Sequence, residues 1–152
     1  MSYILLVDDD FDSSEALAHF LEKAGHRVKH VPDGREALAA VINKLPDVLV
    51  LDWKMPKMDG LSLLQVLRGY LRLSHLPVVL FTAHPDLAGE QKLAEYDVHR
   101  MLLKGEHGPL DVLRSVESIV YAVQSGRPIQ SALSQGEQTP DAVIVRDARG
   151  SS

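Results

Sequence analysis

Short apolar runs alternate with longer stretches in which apolar residues recur every three or four positions. The first run, Tyr3-Ile4-Leu5-Leu6-Val7, has no polar interruption, as expected of a strand buried on both faces. Phe11, Leu17, Phe20 and Leu21 follow at helical spacing, and Gly25 stops that helix. Residues 28–31 read as a second strand. Asp33-Gly34-Arg35-Glu36 places an acidic N-cap three residues before a glutamate, close to a capping box, and leads a helix over 37–45 that Pro46 halts. A third strand, 47–51, runs into the loop Met55-Pro56-Lys57-Met58-Asp59-Gly60, which feeds Leu61, Leu63, Leu64 and Leu67 on a third helix. Pro77 opens a fourth strand, 78–81, and the polar segment 86–96 predicts a fourth helix. A fifth strand, 100–103, precedes Leu110, Leu113, Val116, Ile119, Val120 and Val123, whose spacing fits an amphipathic closing helix.

Five strand–helix pairs in alternation imply an α/β fold, a parallel sheet with helices on both faces, because parallel neighbours need right-handed crossovers and helices make them compactly. Ligands of such sheets sit beyond the carboxyl ends of the strands, where the winding reverses. The polar residues gather at that edge. Asp8 and Asp9 end strand one, Asp52 ends strand three, Thr82 ends strand four and Lys104 ends strand five. Strands that empty into carboxylates concentrate negative charge, which is unfavourable unless a cation or a chemical task accounts for it.

Composition narrows the chemistry. With 152 residues the chain holds one domain with a hydrophobic core and is too short for two ordinary ones. The absence of cysteine excludes disulfides, thiolate metal sites and cysteine nucleophiles, so any metal must be held by oxygen or histidine. The seven histidines show no metal-ligand spacing on one helix face, and His19 and His26 read as surface residues. A net charge of −5 without clustered Lys and Arg argues against nucleic acid as a partner. No signal segment or membrane-length apolar run is present, so the expected location is the cytoplasm, without a membrane partner. Residues 125–152 turn rich in Ser, Gln, Gly and Pro, and 142–145 supply too few apolar residues for a core; a flexible tail is expected there.

Four pieces in order, Ile4-Leu5-Leu6-Val7-Asp8-Asp9-Asp10, Leu51-Asp52-Trp53-Lys54-Met55-Pro56-Lys57-Met58-Asp59-Gly60, Thr82-Ala83 and Lys104, resemble the receiver domain of two-component response regulators. The resemblance covers residues 2–124. It implies a flavodoxin-like three-layer sandwich with strand order 2-1-3-4-5. It further implies that Asp52 is the phosphoacceptor, taking a phosphoryl group from a histidine kinase or a histidine phosphotransfer protein. A carboxylate attacking an anionic phosphoryl group meets repulsion, which a hard cation relieves. Mg²⁺ suits an oxygen-only site, with Asp8, Asp9, Asp52 and the backbone carbonyl of Lys54 as its ligands. Thr82, the Ala83 amide and Lys104 would bind phosphoryl oxygens. Met101 occupies the switch position, where the family commonly carries Tyr or Phe. Lys54 and His84 occupy the two positions that tune phosphoryl lifetime, and neither is an acid or amide that would orient an attacking water. Gly105 stands where the family usually has proline, which leaves the loop after Lys104 less fixed.

The implied protein is a single-domain switch rather than an enzyme, acting on an output protein through the face built from the fourth helix, fifth strand and fifth helix. The same face is the candidate surface for a homodimer. Two other classes stand beside it. A receiver-like binding module would carry the same side chains without being phosphorylated. An aspartyl-phosphate hydrolase of the haloacid dehalogenase type needs an acid two positions after its nucleophile, and Lys54 stands there. Outside the constellation, Asp10 reads as a helix cap, Asp59-Gly60 as the turn that starts the third helix, and Met55-Pro56 as the pair shaping the loop beside Asp52. Trp53 is expected to be partly exposed.

Overall fold

The computed structural model describes residues 1–83, 90–129 and 143–144. Its strands are β1 (Tyr3–Val7), β2 (Arg27–Val31), β3 (Val48–Leu51), β4 (Val78–Thr82), β5 (Arg100–Leu103) and β6 (Val143–Ile144). Its helices are α1 (Phe11–Lys23), α2 (Gly34–Asn43), α3 (Gly60–Gly69), α4 (Glu90–Glu95) and α5 (Pro109–Ser125), with a 3-10 turn at Leu71–Leu73. The first five strands are parallel in the order β2-β1-β3-β4-β5, as the family resemblance implied. A sixth strand was not expected. Val143 and Ile144, from the segment read as a tail, pair antiparallel with Met101 and Arg100 on the edge of β5. Too few apolar residues for a core are enough for an edge pair, since an edge strand presents unpaired N–H and C=O groups.

Alternation along each strand feeds two cores. Leu5, Val7, Leu49, Leu51, Val78 and Leu80 face α2, α3 and α4, whereas Ile4, Leu6, Val48, Val50, Val79 and Leu102 face α1 and α5. Fully apolar strands are therefore what a sheet covered on both sides requires. The helices are less fully described by their apolar spacing. Ser14, Leu17 and Leu21 form the buried stripe of α1, and Phe11 and Phe20 flank it at 63% and 36% exposure. Likewise α5 buries Val112, Ser115, Val116, Ile119 and Ala122 and leaves Leu110 and Val123 in solvent.

Three aspartates start helices. Asp10, Asp33 and Asp59 each accept from the backbone N–H three residues on, at 3.4, 3.0 and 2.8 Å, which satisfies one orphan amide of α1, α2 and α3. The caps of α1, α2 and α3 are those the sequence suggested. Helix α2 begins at Gly34, directly after its cap, and ends at Asn43 rather than at 45, because Leu45 precedes proline and is pushed toward extended backbone. His26 is not a surface residue. Its Nδ1 accepts from the Ser2 N–H at 3.3 Å and its Nε2 lies 3.1 Å from Glu117 Oε2, which covers all but 8% of the side chain.

The start of α3 lies against the end of β3. The Gly60 N–H donates to the Trp53 carbonyl at 2.8 Å, and a Cβ added at Gly60 would stand 2.7 Å from the Asp52 carbonyl oxygen and 3.0 Å from Trp53 Cα. Both neighbours are backbone and cannot swing aside. Gly60→Ala is expected to lower stability by about 1–3 kcal/mol, as overpacking does. Gly69→Ala, at a helical position with nothing within 4 Å of the new methyl, should be neutral or stabilising by about 0.5–1 kcal/mol. Urea denaturation of the two variants compares them directly, and equal midpoints would refute the packing argument.

Candidate functional site

Winding reverses between β1 and β3, and the carboxyl ends of β1, β3, β4 and β5 open onto one edge. The Asp8 N–H donates to the Val31 carbonyl at 3.1 Å and the Asp52 N–H to the Val7 carbonyl at 2.9 Å, so both aspartates are still held by the sheet as their side chains leave it. Burial is unusual for carboxylates: Asp8 is 3% exposed and Asp52 7%. One cation serves both. Lys104 Nζ bonds Asp8 Oδ2 and lies 3.6 Å from Asp52 Oδ2. The other oxygen of each carboxylate takes a backbone donor, Asp10 N–H on Asp8 Oδ1 at 2.9 Å and Trp53 N–H on Asp52 Oδ1 at 2.7 Å. Thr82, fully buried, hydrogen-bonds the Asp52 side chain, and its carbonyl accepts from the Lys104 N–H at 2.9 Å.

Electrostatics follow from this packing. Burial raises the Asp52 pKa above the ordinary carboxylate value and the Asp8 charge adds to it, while Lys104, Thr82 and the Trp53 amide pull the other way without cancelling the rise. For Lys104, burial lowers the pKa, but the bond to Asp8 and the charges of Asp52, Asp8 and Asp10 together leave it raised. The ammonium is therefore a fixed positive charge. Oxygens of Asp8, Asp9 and Asp52 all lie within 4.8 Å of one another. Three carboxylates against one ammonium leave two negative charges uncompensated, and the donors are all hard oxygens, so the set fits a divalent cation of the Mg²⁺ class.

An open cleft of about 550 Å³ gives access, lined by Asp9, Asp10, Asp52, Lys54, Met55, Pro56, Ala83 and Lys104. Met55 is buried, and beyond it Met58 N–H donates to the Pro56 carbonyl at 2.7 Å with Lys57 at φ 65°, so Met55-Pro56 does sit in a tightly turned loop beside Asp52. Trp53 is 4% exposed, contrary to expectation, because its ring packs into the core where α3 starts. Met101 is buried in the core on the α4 side. Lys54 is exposed at the cleft, and His84 lies outside the described residues.

Two supports were invisible in the sequence. His30, on β2, brings Nε2 within 2.8 Å of the Asp8 carbonyl, which can only accept, so the ring donates and fixes the end of β1. Gly34 N–H donates to the Met58 carbonyl at 3.0 Å, and a Cβ there would stand 2.6 Å from that oxygen, so the β3–α3 loop lies directly on the start of α2. Only strand register, which pairs Leu6 with His30, carried a signal for the first.

A family model described as the response regulator receiver domain matches residues 4–117. The chain belongs to the response regulator receiver family. This receiver domain is 42% identical over 145 residues to the DNA-binding transcriptional regulator NtrC of Escherichia coli K12, covering 95% of the chain and 30% of that protein. It is 34% identical over 119 residues to a 14.6 kDa protein of Leptolyngbya boryana, covering 78% of the chain and 90% of that protein. Among solved structures it is similar to the BeF3-activated receiver domain of NtrC, with TM-score 0.69 and 33% identity over 81% of this chain and 97% of that one. The chemotaxis response regulator CheY4 of Vibrio cholerae gives TM-score 0.68 and 28% identity, covering 76% and 98%. The chain spans less than a third of the NtrC regulators it matches.

The raised pKa of Asp52 means that the folded state holds its proton more tightly than the unfolded chain. No cost arises below the unfolded value; the cost grows as pH rises through the raised value and is complete above it. Asp52→Asn should thus gain stability relative to wild type as pH rises from about 3 toward 8, a range that brackets ordinary carboxylate titration. Urea midpoints across that range measure the gain. Mg²⁺ should raise the melting temperature of wild type by mass action, and Asp9→Ala should lose most of that rise. An equal rise in both proteins would remove Asp9 from the ligand set.

Proposed function

We propose that this receiver domain accepts a phosphoryl group on Asp52 from the phosphohistidine of a histidine kinase or a histidine phosphotransfer protein, and that the modified form changes its binding to an output protein. The observation that carries the reading is the shared ammonium: Lys104 already spans Asp8 and Asp52 at the cleft floor. Asp52 Oδ1 is engaged by the Trp53 N–H, which leaves Oδ2, 3.6 Å from the Lys104 ammonium, as the attacking oxygen. In the transfer an Oδ2–P bond forms as the donor's P–N bond breaks, and the electron pair of that bond leaves with the imidazole. Lys104 then exchanges its Asp52 contact for a phosphoryl oxygen, and the Thr82 hydroxyl does the same, with the Ala83 amide beside it.

Asp8, Asp9, Asp52 and the Lys54 carbonyl would hold Mg²⁺, which when bound offsets the charge gathered by carboxylates and phosphoryl oxygens. The proposed receiver unit is residues 2–124, with 125–152 appended to it. Motion of Thr82 would reach the α4–β5–α5 face by way of Met101, whose flexible thioether repacks rather than swings. That face is the proposed surface for the output protein and for a second copy. Among the described residues no helix is long and apolar enough to cross a membrane. The hydrolase alternative has no supporting observation, since exposed Lys54 occupies the position of its second acid.

Incubation with Mg²⁺ and a small-molecule phosphodonor should add one phosphoryl mass to wild type and none to Asp52→Asn. Equal labelling of that variant would reject Asp52 as the acceptor. Lys54 at the cleft mouth has no acid or amide to orient water, so decay of the acyl phosphate should be slow. Lys54→Asn is expected to hasten decay roughly threefold or more, a modest fraction of what positioning a nucleophile supplies. Unchanged decay would show that Lys54 only faces solvent.

A further inference from the structure

Lys104 stands just past the end of β5, beyond the two residues that β6 covers, and is followed by a glycine. Gly105 has φ 93°, a left-handed conformation that imposes nothing on its neighbours. On one side the Lys104 N–H is tied to the Thr82 carbonyl at 2.9 Å. On the other side the backbone of Leu103 faces away from β4 and would end there unpaired. His107 closes that side. Its Nδ1 accepts from the Leu103 N–H at 2.9 Å, while its own N–H donates to the Leu103 carbonyl at 2.8 Å. His107 thus engages both polar groups of Leu103, whose carbonyl also accepts from the Glu106 N–H at 3.1 Å, and a ring of five residues locks the turn that follows Lys104.

The imidazole itself is 4% exposed. With Nδ1 accepting, the proton sits on Nε2, and among the described residues that buried N–H has no hydrogen-bond partner. Burying an unpaired donor is unfavourable, so stability gives no reason to prefer imidazole over an aliphatic side chain here. What only the imidazole supplies is the acceptor at Nδ1.

We infer that His107 is a positioning residue for Lys104: its ring clasps the β5–α5 loop at Leu103 and so aims the ammonium between Asp8 and Asp52. The clasp supplies by a hydrogen bond the stiffness that Gly105 withholds. The inference rests on the reading of Lys104 as the phosphoryl-pairing cation, yet its structural part is measurable without any phosphoryl transfer.

Three variants test it. His107→Leu keeps the volume and removes the acceptor, His107→Asn restores an acceptor close to the place of Nδ1, and Lys104→Ala removes the group being positioned. Side-chain relaxation of Lys104 by NMR should show a mobile ammonium arm in His107→Leu and a wild-type arm in His107→Asn. Thermal stability should move little, since the leucine exchanges one unpaired N–H for another. With a small phosphodonor and Mg²⁺, His107→Leu should be labelled roughly tenfold more slowly, less than the 10²-fold that a 1 Å misplacement costs. In the Lys104→Ala background the same substitution should change nothing further. A Lys104 arm equally ordered in wild type and His107→Leu overturns the inference whether or not Asp52 takes label. So does a labelling loss that persists in the Lys104→Ala background, which would mark His107 as structural only.

Discussion

Two buried carboxylates share one ammonium at the end of the sheet, and the rest of the site is arranged around the imbalance this leaves. Burial alone pushes Asp52 toward its neutral form, and Asp8 pushes in the same direction. Lys104 opposes both without cancelling them, because its nearer partner is Asp8. The result is a carboxylate whose negative charge is disfavoured in the folded protein. A cation bound among the carboxylates would relieve this repulsion, and a phosphoryl group on Asp52 would carry its charge outward into the cleft, where that cation and Lys104 could meet it. The proposed metal binding and phosphoryl acceptance would both answer this one electrostatic constraint.

Such a constraint needs a frame that does not yield. The frame is the parallel sheet, whose apolar strands are covered on both sides and whose last backbone bonds hold Asp8 to Val31 and Asp52 to Val7. Close backbone approaches brace the loops. Gly60 lets α3 start against the Asp52 carbonyl, Gly34 lets α2 start under Met58, and His30 pins the Asp8 carbonyl. Arg68, farther out, donates to the carbonyls of Leu73, Ser74, Tyr96 and Asp97 and ties the connections before β4 and β5 together. Carboxylates that repel one another stay in place because the chain around them has few other ways to pack.

Strand positions, strand-end residues and helix caps were legible because each follows from a local rule: apolar runs, position at a sheet edge, an aspartate before a helix. Asp8, Asp9, Asp52, Thr82 and Lys104 therefore converge as the sequence implied. Burial was less legible. Trp53 and His26 looked exposed because neither lies in an apolar run, and only tertiary contacts with α3 and α5 cover them. Phe11 and Phe20 looked buried because helical spacing locates a stripe without fixing its width. His30 and His107 gave no signal, since a histidine that bonds backbone groups leaves no spacing pattern in the chain.

Determination is uneven across the sheet. Its β1–β3 side is fixed by residues whose roles are set at short range, by caps, strand register and glycines in contact with backbone. The β5 side depends on weaker devices. The lysine follows β5, a permissive glycine comes next, a histidine ring supplies the closure, and only two residues of β6 cover the backbone of Arg100 and Met101. A side held by single hydrogen bonds rearranges at lower cost than one held by close backbone packing. The side of the fold that holds the ammonium is thus the one held by the lighter set of contacts, and it is there that the proposed change of charge at Asp52 would act at the lowest cost.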